Sequence, residues 1–290
     1  MRARGLWATL FATSAAGAAC TGGDGGDDPP AGHLRGGSLV MTRTAVSGFD
    51  PAESLSGVGA FFAPPGPATT PWPEDGDCEW SSPAPTETPA PTPSPTATPP
   101  AIDWMDAGGS LTLRSNENAL VLDRFEGPAG EIFYLTRADA LPETFPTDLV
   151  YDLEIAGSDS PNGVAATTLA GALAAPAPLG IYAPDFPNAG MDAVPLAPGA
   201  AVQLGWVPGD LEVPVMMRMT VSGSSGSATL TCVTDDDGFY EIDVSAMAQF
   251  PSGGGTLTLS RHALHETKLA ADTWLDAETL LTEGGAVLLP

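Results

Sequence analysis

Apolar and polar side chains alternate along much of the chain after Ile102, and a period of two residues indicates β-strands with one buried face. In the longest run, Val213, Val215, Met217 and Met219 share one predicted face. Further runs with the same alternation lie at 149–155, 202–206, 228–233, 240–244 and 256–260. Because one face is apolar and the other polar, we expect antiparallel strands that are packed on one side.

Clusters of turn-forming residues separate these predicted strands. They lie at 208–210, 223–226, 235–238 and 252–255. The chain contains 34 Gly and 30 Pro, a composition that favours short strands and many turns over long helices. The sequence therefore predicts an all-β fold, with antiparallel strands forming a sandwich or barrel.

Helical signals are weak in this sequence. Residues 245–249 could form a single turn with Ser245 as its N-cap. Residues 272–282 fit either a short helix or the last arm of a hairpin, and both interpretations stay open.

The first twenty residues have the pattern of an export signal. Arg2 and Arg4 supply positive charge, residues 6–19 are uncharged and mostly apolar or small, and small residues precede Cys20. This pattern predicts a secretory signal peptide over residues 1–19. The apolar run is shorter than the roughly 20 residues that a transmembrane helix needs.

The segment Ala18-Ala19-Cys20 resembles the lipobox of bacterial lipoproteins. In that class the cysteine takes a diacylglyceryl group, signal peptidase II cleaves before it, and its new amino group is acylated. The resemblance implies that Cys20 is lipidated and anchors the protein to a membrane, and two or more acyl chains hold such an anchor stably. Gly17 departs from the pattern, which usually has Leu there, so ordinary cleavage with a free Cys20 thiol is the alternative.

Residues 20–35 are rich in Gly and Asp, and this composition predicts a flexible tether. The chain has 36 acidic and 10 basic residues, a formal net charge of −26. Such a charge repels phosphate backbones and anionic lipids, so we expect no binding to nucleic acid. Together with the signal, these features predict an exported protein that is held at the cell envelope. The outer membrane of a Gram-negative bacterium is the expected location, and the membrane and leaflet stay open.

The other two of the three cysteines form an even pair once Cys20 is assigned to the lipid. In an oxidising compartment Cys78 and Cys232 are expected to form a disulfide, with two separate buried thiols as the alternative. Cys232 lies on the apolar face of its predicted strand, so the bridge is expected in the core.

Residues 83–100 consist almost wholly of Pro, Thr, Ala and Ser. They cannot bury apolar surface and are expected to be extended or disordered. If Cys78 pairs with Cys232, this segment lies inside the cross-link and forms a loop of one domain. We therefore predict a single strand-rich body over residues 36–290, interrupted by residues 83–100.

Three segments of the C-terminal third resemble a pattern in uncharacterised exported lipoproteins of myxobacterial type. The segments are Gly-Trp-Val-Pro-Gly-Asp at 205–210, Thr-Cys-Val-Thr-Asp-Asp-Asp-Gly-Phe-Tyr-Glu-Ile at 231–242, and Gly-Thr-Leu-Thr-Leu-Ser-Arg at 255–261. The similarity covers roughly residues 190–265 and the N-terminus. It implies an immunoglobulin-like β-sandwich and implies no activity.

Two groups of residues could carry metal chemistry. His262 and His265 are three residues apart, but an odd separation on a strand sends them to opposite faces, so a solvated strand end is the preferred interpretation. The turn Asp235-Asp236-Asp237-Gly238 could offer oxygens to Ca²⁺, but it lacks the alternate spacing of an EF-hand. We therefore expect a solvated turn with Gly238 at positive φ.

The sequence contains no constellation that specifies a reaction. It has no G-x-S-x-G motif, phosphate loop or dinucleotide fingerprint, so we expect no enzyme and no cofactor. Trp206 is predicted in the core, whereas Trp72 and Trp80 could be exposed and stack on a sugar or peptide. The leading hypothesis is a non-catalytic, lipid-anchored envelope protein with a structural or interaction role. The alternative is a carbohydrate- or peptide-binding surface module, with or without calcium, whose partner is an envelope or extracellular protein or glycan.

Overall fold

The computed structural model describes most of the chain after residue 102 and several segments before it. Several segments lie outside the described part of the chain: Cys20, most of the tether, Trp72 and residues 83–100. Of the predicted signal peptide only residues 15–16 are described. The described residues are 15–16, 34–48, 53–66, 70–71, 76, 78–81, 103–116, 118–186, 192–197, 199–209, 213–270 and 273–290.

The predicted all-β class is confirmed, because the described residues are mostly in strands that form a large and a small sheet in an open, sandwich-like arrangement. The described helical elements are a single-turn helix and a 3₁₀ turn, α1 (Val244–Met247) and Pro142–Thr144. The strands are β1 (Ala15–Ala16), β2 (Leu34–Ser47), β3 (Glu53–Gly66), β4 (Thr70–Pro71), β5 (Cys78–Ser81), β6 (Asp103–Met105), β7 (Ser110–Ser115), β8 (Asn118–Glu126), β9 (Ile132–Thr136), β10 (Leu149–Ile155), β11 (Thr167–Ala175), β12 (Val194–Pro195), β13 (Val202–Gly205), β14 (Val215–Gly223), β15 (Gly226–Thr234), β16 (Phe239–Ile242), β17 (Gly253–Ala270) and β18 (Thr273–Leu289).

Most strands join one large sheet with the order β11-β10-β7-β8-β9-β3-β2-β18-β17-β14-β15-β5. Its pairs are antiparallel along this path except that β18 runs parallel to β2. Strands β13 and β16 form a separate antiparallel ribbon, and β1 pairs with β4 in another two-stranded sheet. The parallel β18–β2 pair joins two distant parts of the chain.

Two hydrophobic cores lie against this sheet. The first is built around β2, β3 and β7 to β11, and the second around β13 to β17. The long hairpin of β17 and β18 contributes to both, because Leu275 and Ala277 lie in the first core while Leu257, Leu259 and Val287 lie in the second. The hairpin therefore links the two cores.

The predicted alternation is confirmed in β10 and β14, whereas the run at 240–244 ends as a strand at Ile242, and Val244 is the 49% exposed first residue of α1. Val215, Met217 and Met219 are fully buried on one face of β14, and Tyr151 and Leu153 are fully buried in β10. In a β-strand successive side chains point to opposite faces, so the intervening residues face away from the core. The period of two residues thus identified the core positions of β10 and β14 correctly.

Two local predictions are resolved by the structure. Residues 273–289 form β18, so the C-terminal segment is a hairpin arm and not a helix. The N-cap of α1 is Asp243 and not Ser245, because the Asp243 carboxylate accepts a hydrogen bond from the Ala246 N–H. In the described residues no helix is long and apolar enough to span a membrane.

The predicted disulfide between Cys78 and Cys232 is present. The two residues face each other directly across β5 and β15, with their Cα atoms 4.2 Å apart. Cys232 is buried as predicted, whereas Cys78 is exposed, so the bridge lies at the edge of the second core. Residues 83–100 therefore lie, in sequence, between two bonded cysteines.

Candidate binding surface

A buried ion pair joins two of the three segments that the sequence analysis named, 231–242 and 255–261. The Arg261 side chain is 1% exposed and the Asp236 side chain 5%. Arg261 Nε donates to Asp236 Oδ2 at 2.7 Å, and Nη2 donates to Oδ1 at 3.0 Å. The same carboxylate accepts hydrogen bonds from Trp206 Nε1 at 2.6 Å and from the Gly209 N–H at 3.0 Å. The Trp206 turn and the Asp236 turn are thereby fixed to β17.

The remaining donors of Arg261 hold backbone carbonyls. Nη1 donates to the oxygens of Ala177 and Pro178, each at 2.7 Å, and Nη2 also donates to the oxygen of Val207. A guanidinium has five N–H donors, and all five are used here. Arg261 therefore joins β17 to the Asp236 turn and to the backbone at Ala177, Pro178 and Val207, and it has no N–H donor left for a ligand.

Glu283, on the neighbouring strand β18, binds the same segment of backbone. Its Oε1 accepts a hydrogen bond from the Leu179 N–H at 2.8 Å, and its Oε2 accepts one from the Gly180 N–H at 3.0 Å. The segment after β11 leads from the first core to the second. The Arg261 guanidinium binds its carbonyl oxygens, and the Glu283 carboxylate binds its N–H groups. This segment leads directly to Tyr182.

Three large side chains are exposed beside this tied region. Tyr182 is 63% exposed, Val207 55% and Phe239 50%. We name these three residues the Tyr182–Phe239 patch.

Gly205 organises the patch. A Cβ atom at Gly205 would lie 2.4 Å from Cε2 of Tyr182, so the tyrosine ring covers this glycine. The Tyr182 N–H donates to the Gly205 oxygen at 2.9 Å, and Phe239 is the direct cross-strand neighbour of Gly205. Directly opposite residues point to the same face of an antiparallel pair, so Tyr182 and Phe239 lie on the same outer face of the β13–β16 ribbon.

The surroundings of the patch are acidic. The segments that form it, residues 176–186, 203–209 and 235–243, contain no Lys, Arg or His. Asp235, Asp237 and Glu241 are exposed. The Ser245 hydroxyl and the Ala246 N–H lower the pKa of Asp243, which keeps that carboxyl ionised.

The predicted solvated Asp turn is only partly correct. Asp235 and Asp237 are exposed, but Asp236 is buried because Arg261 neutralises it. Gly238 has φ of +88°, as predicted for the end of this turn. Since both oxygens of Asp236 are occupied by protein donors, the three carboxylates do not form a joint calcium site. Across the described ranges no group of three or more His, Cys, Asp and Glu side chains could hold a metal ion.

The predicted environment of His262 is wrong, although the predicted separation of the two histidines holds. Strand β17 continues past both residues, so His262 and His265 point to opposite faces. His262 is buried, not solvated, and its Nε2 lies 3.3 Å from Glu278 Oε2. His265 is an exposed residue, but neighbouring groups partly desolvate its imidazole ring. This desolvation lowers the pKa of His265 below the usual 6.5.

Of the two tryptophans that the sequence suggested could be exposed, Trp80 is partly exposed as expected, whereas Trp72 lies outside the described residues. Trp206 is fully buried, as predicted. Trp80 is 36% exposed and packs against Phe250, with ring centroids 4.9 Å apart. The Tyr182 and Phe239 rings are more exposed than Trp80, and sequence reasoning missed both. A signal existed for Phe239, because it has the opposite parity to Tyr240 and Ile242, the apolar positions of the run at 240–244.

Two shallow clefts are also present on the surface, and the first adjoins the segment that leads to Tyr182. A cleft of about 230 Å³ is lined by residues of β2 and β3, the Gly180 segment and β18, including Glu53 and Glu283. A groove of about 440 Å³ lies over β7, β10 and β11 and is lined by Ser, Thr and Ala with Glu154. Neither lining includes a histidine or a cysteine.

No protein-family model matches this chain, and no curated protein matches it in sequence.

Proposed function

We propose that this protein is a non-catalytic, lipid-anchored protein of the cell envelope that binds a partner through the Tyr182–Phe239 patch. The observation that carries the proposal is the exposure of the Tyr182 and Phe239 rings on one face of the β13–β16 ribbon, with Val207 exposed nearby, where hydrogen bonds fix the backbone. Exposed aromatic side chains in a fixed geometry are typical anchors of binding surfaces, because little conformational entropy is lost when a partner docks.

The non-catalytic part of the proposal is supported by the state of the polar groups that could do chemistry. Arg261 and Asp236 use their donors and acceptors on each other and on the backbone. His262 is buried beside Glu278. Catalysis needs a base and a nucleophile that reach a common substrate position, and these groups offer no such position.

The anchor is supported by the cysteine pairing. Cys78 and Cys232 are bonded to each other, so Cys20 is the third cysteine of the chain and is left for another role. A structural disulfide is also typical of an oxidising compartment outside the cytosol. Both points agree with export and lipidation at Cys20. The proposal places the anchored protein in the outer membrane of a Gram-negative host.

Labelling with radioactive palmitate tests the anchor. The full chain expressed in a Gram-negative host is expected to take up label and to sediment with membranes, and the Cys20→Ser variant should do neither. A wild-type protein that is secreted without label, with an N-terminus other than Cys20, would contradict the anchor.

Site-specific photo-crosslinking tests the interaction role in intact cells. We expect p-benzoylphenylalanine in place of Phe239 to give a discrete cross-linked species. The matched control replaces Phe125, which is 52% exposed on β8. Equal cross-linking from both positions, or none from position 239, would contradict a role for the patch.

A carbohydrate-binding module is the second candidate function. It is favoured by the same observation, since exposed Tyr182 and Phe239 rings beside carboxylates suit sugar stacking and hydrogen bonding. It differs from the first candidate in its ligand, so a panel of neutral oligosaccharides separates the two.

A further inference from the structure

We infer that the Tyr182–Phe239 patch binds a basic peptide segment of a partner protein. The inference rests on the proposed binding function and names the class of its ligand. It follows from three properties of the patch, which are its apolar surface, its rigidity and the sign of its charge.

The patch presents apolar surface to water. Tyr182, Val207 and Phe239 each leave about half or more of their surface in water. The methylene groups of Arg or Lys cover such surface well, because these side chains bury an apolar stem and keep the charged head in water. A guanidinium or ammonium over a Tyr or Phe ring also gains from the negative face of the ring.

The rigidity of the patch comes from backbone hydrogen bonds around Gly205. The Tyr182 and Ala183 N–H groups donate to the Gly205 oxygen at 2.9 and 3.2 Å, and the Gly205 N–H donates to the Ala183 oxygen at 2.9 Å. Arg261 and Glu283 hold the segment that leads to Tyr182. The backbone that carries the Tyr182 ring is therefore fixed before a ligand arrives, which reduces the entropic penalty of binding.

The charge selects a cationic ligand. Asp235, Asp237 and Glu241 are exposed near the patch, and the three segments that form it contain no basic residue. The nearby Arg261 does not offset this charge, since it is buried and neutralised by Asp236. A basic segment would satisfy these carboxylates and would be steered by the negative field, whereas a neutral glycan would leave the charges uncompensated.

Fluorescence anisotropy on the full chain, purified in mild detergent, tests the inference. The probe is a fluorescein-labelled octapeptide of alternating Arg and Ser, with a Glu and Ser octapeptide as its charge control. We expect the Arg peptide to bind, Phe239→Ala to weaken binding about tenfold or more, and Glu241→Gln to weaken it about threefold at low salt.

Matched variants separate this site from the general acidity of the chain. Phe125→Ala removes an equally exposed ring, and Asp139→Asn removes an exposed carboxylate near the first core. Both should change the affinity by less than about twofold. Circular dichroism before and after each titration verifies that every variant is folded.

Three results would overturn the inference. The first is an affinity that falls equally in the Phe239→Ala and Phe125→Ala variants, which would indicate unspecific charge attraction. The second is no binding of the Arg peptide, and the third is binding of neutral oligosaccharides that Phe239→Ala abolishes. If cross-links still form from position 239 in cells, these results leave the proposed binding function standing and reject only the basic peptide as its ligand.

Discussion

At the scale of single residues, the buried pair of Arg261 and Asp236 is the strongest determinant of local structure around the patch. Taking two charges out of water is unfavourable, and it is offset only when every donor and acceptor finds a partner. Here the guanidinium meets a carboxylate and three carbonyl oxygens. Removal of one partner leaves the other buried and uncompensated, which is far more destabilising than loss of an exposed pair.

We expect Asp236→Asn to lower the free energy of unfolding by about 3–5 kcal/mol, because it leaves the Arg261 charge buried without its counter-ion. Urea denaturation followed by circular dichroism measures this change. The matched control is Glu154→Gln, which breaks the exposed Arg114–Glu154 pair with its contact of 2.6 Å. That variant should lose about 1 kcal/mol or less. Equal losses in the two variants would show that the buried pair has no special role.

His265 allows a prediction about pH at the same scale. Desolvation lowers the pKa of His265 below 6.5 in the folded protein, so the unfolded chain binds this proton more tightly. The contribution to stability is therefore fully present above pH 6.5 and is lost as the pH falls through the folded pKa. An NMR titration of the imidazole C–H signals, assigned with His265→Gln, should show this midpoint below 6.5. A midpoint at or above 6.5 would contradict the partial burial of the ring.

At the scale of elements, the short strand β5 depends on its disulfide. It has four residues and pairs with β15 over Cys78–Ser81, and all four of its residues are exposed. A strand this short contributes few backbone hydrogen bonds and little buried surface. The covalent bond to Cys232 keeps it at the edge of the sheet.

Replacement of both cysteines, as Cys78→Ser with Cys232→Ala, is expected to lower the free energy of unfolding by about 2–5 kcal/mol. Hydrogen exchange should show the larger local effect, since the amides of Glu79 and Trp80 should lose protection while those of β7 and β8 keep it. Reduction of the wild-type disulfide under native conditions provides a second way to make the same change. Unaltered exchange in β5 would show that its pairing does not need the bond.

The sequence predicted the strands wherever one face is apolar and the other polar. The pattern located β10, β14 and β15, and counting cysteines identified the bonded pair. It could not predict that β18 lies parallel to β2, because strand pairing between distant segments depends on the packing of the whole sheet and not on local alternation. It also missed the length of β17 beyond Ser260, where buried polar residues such as Arg261 and His262 interrupt the apolar pattern.

The site was less predictable than the fold for a related reason. The sequence shows three consecutive aspartates, but it does not show which of them points inward. That choice depends on Arg261, which is 25 residues away in the chain and buried only in the folded protein. Tyr182 could not be assigned either, because its exposure results from the way its ring lies on Gly205 outside any regular strand.

At the scale of the whole molecule, the long β17–β18 hairpin makes the two cores interdependent. Leu259 lies in the second core and Leu275 in the first, yet both are part of one continuous pair of strands. The segment between the cores is held by Arg261 and Glu283 of this same hairpin. Damage to either core should therefore be transmitted through the hairpin to the other.

We expect the body of the protein to unfold as one cooperative unit, although it contains two cores. Leu259→Ala should lower the free energy of unfolding by about 2–5 kcal/mol, the range for a truncated buried leucine. If the cores are coupled, this variant should also increase hydrogen exchange at Leu111 and Leu113, which lie in the first core. Val121→Ala, at an exposed position of β8, is the control and should change neither quantity by a measurable amount. Increased exchange confined to the second core would instead divide the body into two independent domains, with the hairpin acting only as a connection. In that case the Tyr182–Phe239 patch would depend on the second core alone, and a fragment that carries that core could be tested for binding by itself.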